Sequence, residues 1–339
     1  MNEFILTLFK SGHKVRVSTM YQLLIGRRTS SVLLYGFFHE NLSKLGSFPK
    51  LKKELFYQVI QQLIAQGYLI ENEELVGITI EGSKKIERTD SLYDAIDFFS
   101  YGRTDKECWR LLKFSIQVVS QMAYRENHYL PTETSPFYTY KIKQWLQGKI
   151  KEVLIEEVFT ELTSIFAQLP QNQADYLAQQ LVGANQVGML PYQLCPSLSD
   201  PTELYLYQSM TIHALLDKIT EHSVFYPLIV ELFQQNQNQS MLVTKNLILH
   251  GQTPQQVMEK RKIKEGTLSD HLIEWAIISD DFPFEKFLSH ETIQWMQQFT
   301  HEELVDIQYR DISKETTINY REFRLYQIQQ VKGGKKNRT

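Results

Sequence analysis

The stretch between residues 240 and 278 contains three short helical patterns with a stop signal after each of the first two, and this order restricts the fold more than any other feature. The first pattern ends at Gly251, since glycine commonly follows the last residue of a helix. Thr253 begins the second pattern as its N-cap, with Pro254 at the first helical position and Gln256 at the third, as in a capping box. Helix, helix, tight turn and helix is the plan of a helix-turn-helix domain, so we predict one here.

The third helical pattern of this stretch is amphipathic. Its apolar residues recur at helical spacing, at Leu268, Leu272 and Ile273. In a helix-turn-helix domain its other face would point toward a DNA major groove, and that face carries Lys264, Glu265, Thr267, Ser269, Asp270 and His271. Because this face mixes both signs of charge, we expect it to contribute little to sequence-specific base reading.

Positive charge is concentrated at the turn before the third helix, in Lys260, Arg261, Lys262 and Lys264. DNA phosphates attract cations, so this placement favours contact with the backbone. We therefore predict a DNA-binding site made of these four residues together with Thr267, Ser269 and His271. An ordinary packing unit of three helices would show the same spacing, and spacing alone leaves that alternative open.

The same stretch resembles a known family. From Gly251 to Leu272 it reads G-x-T-x-x-x-V-x-x-x-R-x-I-x-x-x-T-L-x-x-H-L. This run is similar to the helicase-associated helix-turn-helix domain, which occurs at the C-terminus of some RecQ-type helicases and in stand-alone bacterial proteins of the YpbB type. The resemblance continues through residues 284–288 to 320–325 and so covers roughly 240–327. It implies that the partners are DNA and a separately encoded RecQ-type helicase, and that the process is DNA repair or recombination.

The first 88 residues combine helical patterns with one short ribbon. A basic turn at residues 26–31 precedes an apolar helix, a second helical pattern covers 51–66, and two β-patterns follow at 68–70 and 76–80. Helices followed by a two-stranded ribbon indicate a winged helix, with 51–66 as its recognition element. The basic side chains that we expect to contact DNA here are Arg27, Arg28, Lys50, Lys52 and Lys53.

This N-terminal segment also resembles a module of the same helicases. Residues 39–46 read H-x-x-L-S-x-x-G, and residues 63–69 follow at a suitable distance, as in the winged-helix module behind the motor of RecQ-type helicases. Members of that family that separate strands use the wing to do so. The wing of this chain carries Glu71, Glu73 and Glu74, whose charge would repel phosphates, so strand separation is not expected.

The predicted fold is mostly α, with four segments along the chain. They are a winged-helix-like domain at 1–88, an all-helical middle domain at 89–238, a helix-turn-helix domain at 240–327, and a basic disordered tail at 328–339. Residues 1–70 hold nine Lys or Arg and three acidic residues, whereas 151–240 hold two lysines and ten acidic residues. This asymmetry suggests different partners for different segments, although chance variation between solvated faces would also produce it.

Motifs for catalysis are missing from the sequence. The Gly-Lys pairs at 148–149 and 334–335 lack the upstream glycine and the following Ser or Thr of a phosphate-binding loop. His213, Asp217, Glu221 and His222 have a spacing that metal ligands can adopt, but a solvated helix face has the same spacing. Asp94 and Asp97 form a carboxylate pair without the basic partner that a nuclease needs. We therefore expect no catalytic site, no metal and no cofactor.

Compartment and redox state follow from two further features. Cys108 and Cys195 are too few for a disulfide framework, so we expect both to be buried small hydrophobic residues. The apolar run at residues 4–9 is too short for a signal peptide, and no apolar stretch reaches membrane-spanning length. These features favour a cytoplasmic protein that does not contact a membrane.

Three functional hypotheses remain from the sequence. The first is a non-enzymatic DNA-binding accessory protein that works with a RecQ-type helicase. The second is an interaction scaffold, whose winged-helix and helix-turn-helix folds contact protein partners. The third is a transcription regulator, for which the sequence offers no ligand-sensing signature.

Overall fold

The chain folds into two compact units that do not follow the sequence order of the predicted domains. The computed structural model describes residues 1–73, 75–87, 93–196, 198 and 200–336. Residues 1–7 join the described part of 84–237 in one unit, which we call the helical unit. Residues 8–83 join those from 238 onward in the other, which we call the composite unit. Residues 8–83 of the predicted winged-helix segment thus share one compact unit with the predicted helix-turn-helix segment.

The N-terminal part of the composite unit contains helices and a small sheet. Its elements are β1 (Val15–Arg16), α2 (Val17–Leu24), α3 (Ser30–Phe38), a 3-10 turn (Leu42–Lys44), α4 (Lys53–Ala65), β2 (Leu69–Asn72) and β3 (Leu75–Ile78). The predicted ribbon is present as the antiparallel pair of β2 and β3, in which Leu69 lies opposite Ile78. The sequence did not reveal that β1 pairs with β3, which gives the sheet order β1-β3-β2. Glu74 of the predicted acidic wing lies outside the described residues.

The C-terminal part of the composite unit is helical. It consists of α14 (Gln239–Leu249), α15 (Pro254–Arg261), α16 (Glu265–Ile278), a 3-10 turn (Phe284–Lys286), α17 (His290–Met296), α18 (His301–Asp306), α19 (Tyr309–Ile312) and α20 (Tyr320–Lys336). The three predicted helices of the helix-turn-helix are therefore present as α14, α15 and α16.

The C-terminal end differs from the predicted disordered tail. Helix α20 continues to Lys336 because its inner face buries Ile328 and Val331, which are 0% and 4% exposed. Lys332 also donates from Nζ to the carbonyl oxygen of Ser279 at 2.7 Å. Residues 337–339 of the predicted tail lie outside the described residues.

Helix α16 is the central element of the composite unit. It packs against α14 and α20 and also against α3 from the N-terminal part. The predicted inward residues Leu268, Leu272 and Ile273 are all 0% exposed, and Trp275 on the same helix is 1% exposed. Burying one such side chain contributes roughly 1.5–3 kcal/mol. The helix predicted to face DNA is thus largely a core helix.

The helical unit confirms the prediction of an all-helical middle. Its helices are α1 (Asn2–Thr7), α6 (Phe98–Tyr101), α7 (Asp105–Ala123), α8 (Pro136–Leu146), α9 (Lys151–Ala167), α10 (Gln171–Ala178), α11 (Pro191–Leu194), α12 (Pro201–Leu216) and α13 (Tyr226–Gln235). Helix α5 (Ile80–Glu87) lies across the division between residues 83 and 84. Cys108 is fully buried in this core, as predicted, whereas Cys195 is half-buried. Among the described residues, no helix has the length and apolar character needed to cross a membrane.

Candidate nucleic-acid interface

The second helix of the helix-turn-helix begins with the capping box that the sequence predicts. The Thr253 hydroxyl accepts a hydrogen bond from the Gln256 amide at 3.3 Å, and the Gln256 side chain accepts from the Thr253 amide at 2.8 Å. These reciprocal bonds satisfy two amides that the start of α15 would leave without partners. Gly251, with φ of +85°, ends the preceding helix α14. The predicted capping box and helix stop are both confirmed.

The turn between α15 and α16 is short and basic. Lys262 caps α15 in the left-handed conformation, with φ of 54°, and Lys264 is the extended N-cap of α16. Together with Lys260 on α15, these lysines are exposed. None of the three forms an ion pair within the part of the chain that the structure describes. Their charge is therefore available to an anionic partner.

The first turn of α16 is open to solvent on its outer side. Gly266 has no atom within 4 Å of the position where a β-carbon would lie, and Thr267 is exposed. The amides at a helix N-terminus carry partial positive charge, which favours a phosphate near Lys264. Glu265 is 77% exposed on the same turn and opposes this effect. A phosphate can therefore approach this turn closely, but an acidic side chain lies beside it.

Further along α16, the face that was predicted to point outward is only partly accessible. Ser269 is half-buried, and Asp270 accepts a hydrogen bond from the hydroxyl of Ser30 at the start of α3. The outer face that could reach a DNA groove is thus confined to the first turn of the helix.

Arg261 points inward, contrary to its predicted role. Its guanidinium donates to the carbonyl oxygen and to the hydroxyl of Ser240, both at 2.8 Å, and also to the hydroxyl of Thr244. These bonds tie the end of α15 to the first turns of α14. Arg261 therefore holds the helix-turn-helix together, and the predicted phosphate contact is replaced by an internal one.

His271 was predicted to face the groove, and this prediction is wrong. The side chain is buried, with 6% exposure, and its Nδ1 lies 2.9 Å from the Thr244 hydroxyl. Burial lowers the pKa of His271, and the nearby Arg261 guanidinium lowers it further. A neutral, buried imidazole cannot neutralise a phosphate. The spacing from the buried Leu268 could have predicted that His271 is buried, because residues three positions apart lie on the same face of a helix.

Arg28 is also used internally. Its Nε donates to Oε1 of Glu274 at 2.7 Å, and the two side chains are 13% and 4% exposed. The second carboxylate oxygen of Glu274 accepts from Asn238 at 2.6 Å. Since no local pattern links residues 28 and 274, sequence reasoning missed Glu274 and Asn238. Neighbouring Arg27, by contrast, is exposed as predicted.

The basic residues at the start of α4 are accessible, as the predicted DNA contact requires. Lys50, Lys52 and Lys53 are all exposed. The ammonium of Lys53 lies 5.6 Å from the ring centroid of Tyr57, one turn further along the helix. An exposed cation–π contact of this kind contributes roughly 0.5–1 kcal/mol and leaves the ammonium accessible to an anion.

The candidate metal ligands of the helical unit do not lie on a solvated face as a group. His213 is buried, accepts from the Asp97 amide through Nδ1 at 2.9 Å, and places Nε2 3.3 Å from Asp105. Asp217 is exposed and pairs with Lys218 at 3.1 Å. No group of three or more potential ligands occurs among the described residues. His213 is thus a hydrogen-bonded core residue.

Comparisons with known proteins agree with this geometry. Residues 240–327 match a protein family that is described as a helix-turn-helix domain. Protein YpbB of Bacillus subtilis (strain 168) is 21% identical over 188 residues, which cover 54% of this chain and 53% of that protein. The match therefore spans about half the length of the relative. No solved structure matches the chain. The chain is thus a distant relative of YpbB with a C-terminal helix-turn-helix domain.

Proposed function

We propose that the protein binds DNA through the basic turn of its helix-turn-helix domain. The observation that carries this proposal is the position of Lys260, Lys262 and Lys264. All three are exposed, without ion pairs in the described chain, and they lie at the end of α15 and in the turn that leads into the open first turn of α16. Phosphates bound here would meet both the lysine charges and the positive end of the helix dipole.

The contact is mainly with the DNA backbone. Direct base reading needs polar side chains that reach into the major groove from the recognition helix. On α16 only Thr267 is an exposed neutral polar side chain of the first turn, because Ser269 is half-buried and His271 is buried. The acidic Glu265 and Asp270 would repel nearby phosphates. Binding therefore depends on salt more than on sequence.

A second basic surface of the composite unit supports the same function. The order β1, α2, α3, α4, β2 and β3 supports a winged-helix interpretation of the N-terminal part. In this interpretation α4 is the recognition element, and the exposed side chains at its start are Lys50, Lys52 and Lys53. Arg27 adds one more exposed cation. The wing carries Glu71 and Glu73, so it does not separate strands.

We further propose a role beside a RecQ-type helicase in DNA repair or recombination. The resemblance of residues 240–327 to the helicase-associated domain supports this partner, and the resemblance of the N-terminal segment to the helicase winged helix adds to it. In this role the protein is non-enzymatic, works in the cytoplasm and adds its own DNA contacts to those of the helicase. Regulation of transcription, by comparison, requires base reading that α16 is poorly placed to provide.

Docking of a protein partner by the helical unit is a second candidate function. This unit exposes several large apolar side chains, among them Leu130 at 91%, Val187 at 86% and Phe159 at 68%. Residues 151–240 also carry two lysines against ten acidic residues, which favours a basic partner. An interaction scaffold would use these surfaces and would not need the basic turn.

The test is binding of the purified protein to labelled single-stranded, duplex and forked DNA across a salt series. Replacing Lys260, Lys262 and Lys264 together by glutamine removes three positive charges and keeps the side-chain stems. For duplex DNA each lost phosphate contact reduces the salt slope by about 0.9, so three contacts reduce it by about 2.7. Unchanged affinity and slope would overturn the proposed site.

A matched control variant loses the same three positive charges from the surface of the helical unit. Lys106, Lys143 and Lys149 are exposed lysines of the helical unit, and their triple replacement by glutamine leaves DNA binding unchanged if the basic turn is the site. If neither triple variant nor the wild-type chain binds DNA at low salt, the scaffold is the better interpretation.

A further inference from the structure

A cleft in the composite unit lies apart from the basic turn. Its volume is about 630 Å³, within the range of roughly 300–1,000 Å³ that small-molecule sites occupy. One wall comes from the end of the N-terminal loop, β1, α2 and α3. The other wall comes from the end of α18, the residues that follow it, and Arg324 of α20. The cleft is therefore built from segments about 300 residues apart in the sequence.

The rim of the cleft is cationic. Lys14 and Arg16 are exposed, and neither forms an ion pair with any residue that the structure describes. Arg324 donates from one terminal nitrogen to Gln327 at 2.8 Å, while its Nε is buried and finds no hydrogen-bond partner in the described chain. Asp306 is the one carboxylate among the described lining residues, and its Oδ1 lies 3.0 Å from Nδ1 of His13. The cleft thus has an excess of positive charge.

The inner part of the cleft is aromatic and apolar. Tyr35, Phe38 and His39 lie along the end of α3, and Val15 and Leu75 line the cleft from the sheet. The rings of Tyr35 and His39 have centroids 4.6 Å apart. Such a surface suits a flat aromatic group, because base and side-chain rings gain roughly 1–3 kcal/mol by stacking. His39 adds no charge near neutral pH, since burial lowers its pKa to about 4.

We propose that this cleft binds a free mononucleotide, with its phosphates at Lys14, Arg16 and Arg324 and its base against Phe38 and His39. Inorganic phosphate would satisfy the rim and leave the aromatic part empty. An uncharged nucleoside would fill the aromatic part and leave Lys14 and Arg16 without an anionic partner. A nucleotide has both features, and a volume of about 630 Å³ accommodates it. The site is independent of the proposed DNA contact, because no lysine of the basic turn lines the cleft.

The experiment is calorimetric titration of the full chain with ATP and AMP, and in parallel with adenosine and inorganic phosphate. The expected result is saturable one-to-one binding of a nucleotide, with adenosine and phosphate each at least about tenfold weaker. Replacing Lys14 and Arg16 together by glutamine lowers nucleotide affinity at least about tenfold. Both residues are exposed, so we expect this variant to keep its fold, and its circular dichroism checks that.

The Lys260, Lys262 and Lys264 triple variant is the control for unspecific attraction of a polyanion. If the cleft is the nucleotide site, this variant binds the nucleotide as tightly as the wild type does. Three outcomes would overturn the proposal. They are no binding of ATP or AMP at millimolar concentration, binding that the Lys14 and Arg16 variant retains, and an equal loss in the triple variant. Each can occur whether or not the protein binds DNA, so the failure of one proposal does not decide the other.

Discussion

The guanidinium Nε of Arg28 lies 2.7 Å from Oε1 of Glu274 and so joins two residues 246 positions apart in the chain. Glu274 is buried and lies in the middle of α16, whereas Arg28 precedes α3. Ser30, two residues later, donates to Asp270 one turn earlier on α16. These contacts attach the N-terminal segment to the third helix of the helix-turn-helix. The two basic surfaces of the composite unit are therefore presented by one folded body.

Replacing Glu274 by alanine tests this attachment. The variant leaves the Arg28 guanidinium buried without its carboxylate, and it also removes the acceptor of Asn238. Breaking one side of a buried ion pair typically costs about 3–5 kcal/mol. We therefore expect the variant to unfold at a lower urea concentration, with a free energy of unfolding that is reduced by several kcal/mol. Tryptophan fluorescence follows this unfolding.

The control for this variant is Glu285→Ala. Glu285 is an exposed glutamate of the same unit, in the 3-10 turn after α16. Surface substitutions of this kind usually change the free energy of unfolding by no more than about 0.5 kcal/mol. Equal urea midpoints for the two variants would contradict a structural role of the buried pair.

Local sequence signals predicted the helices of the helix-turn-helix and their ends. The Thr253 to Gln256 capping box and the Gly251 stop act within four residues, so the sequence contains all that is needed to recognise them. The spacing of Leu268, Leu272 and Ile273 identified the buried face of α16 for the same reason. The ribbon of β2 and β3 followed from two adjacent β-patterns.

The candidate site was predicted less well, because the orientation of its side chains depends on partners that are distant in the sequence. Charge alone suggested that Arg28 and Arg261 bind phosphate, yet each is engaged by groups on another helix. His271 was assigned to the outer face, although α14 supplies Thr244 as its partner across the helix pair. Exposed lysines without such partners, such as Lys260, remain where the sequence placed them. The residue pattern of one helix does not show which side chains of a second helix will contact it.

Arg261 and Lys260 offer a sharp contrast between neighbouring residues. Arg261→Gln removes the hydrogen bonds to Ser240 and Thr244, whereas Lys260→Gln changes an exposed side chain. We expect Arg261→Gln to lower the free energy of unfolding by about 1–3 kcal/mol, as for the loss of charged hydrogen bonds. Lys260→Gln leaves stability unchanged and weakens DNA binding. Thermal unfolding of both variants measures the change in stability, and DNA titration measures the change in affinity. An Arg261→Gln variant of unchanged stability beside a destabilised Lys260→Gln variant would contradict the inward position of Arg261.

The cap of α15 contributes a measurable part of the stability. Thr253→Ala removes the acceptor of the Gln256 amide, and loss of such a cap typically costs about 1 kcal/mol. Gln255→Ala on the same helix is the comparison, because residue 255 does not take part in the capping box. We expect a lower melting temperature for the first variant and a nearly unchanged one for the second. Equal melting temperatures would show that the cap is not a significant determinant of the stability of α15.

His39 makes the stability of the composite unit depend on pH. Burial, together with the nearby His13, lowers its pKa from 6.5 to about 4, while Asp306 acts in the opposite direction. The unfolded chain therefore binds a proton at His39 between these two pKa values, and the folded chain does not. The contribution of His39 to stability is then fully present above pH 6.5 and falls as the pH decreases toward 4.

Between about pH 7.5 and pH 5, this one residue lowers the free energy of unfolding by about 2 kcal/mol. His39→Gln keeps a polar group near the hydroxyl of Ser11, which lies 3.4 Å from His39 Nδ1, but it does not titrate. We expect the variant to lose less stability than the wild type over this range, as measured by urea unfolding at both pH values. All other titrating groups are common to both proteins, so the difference between the two pH dependences reports His39 together with its electrostatic interaction with His13 and Asp306. Parallel curves would show that the imidazole is protonated as readily in the folded chain as in the unfolded one.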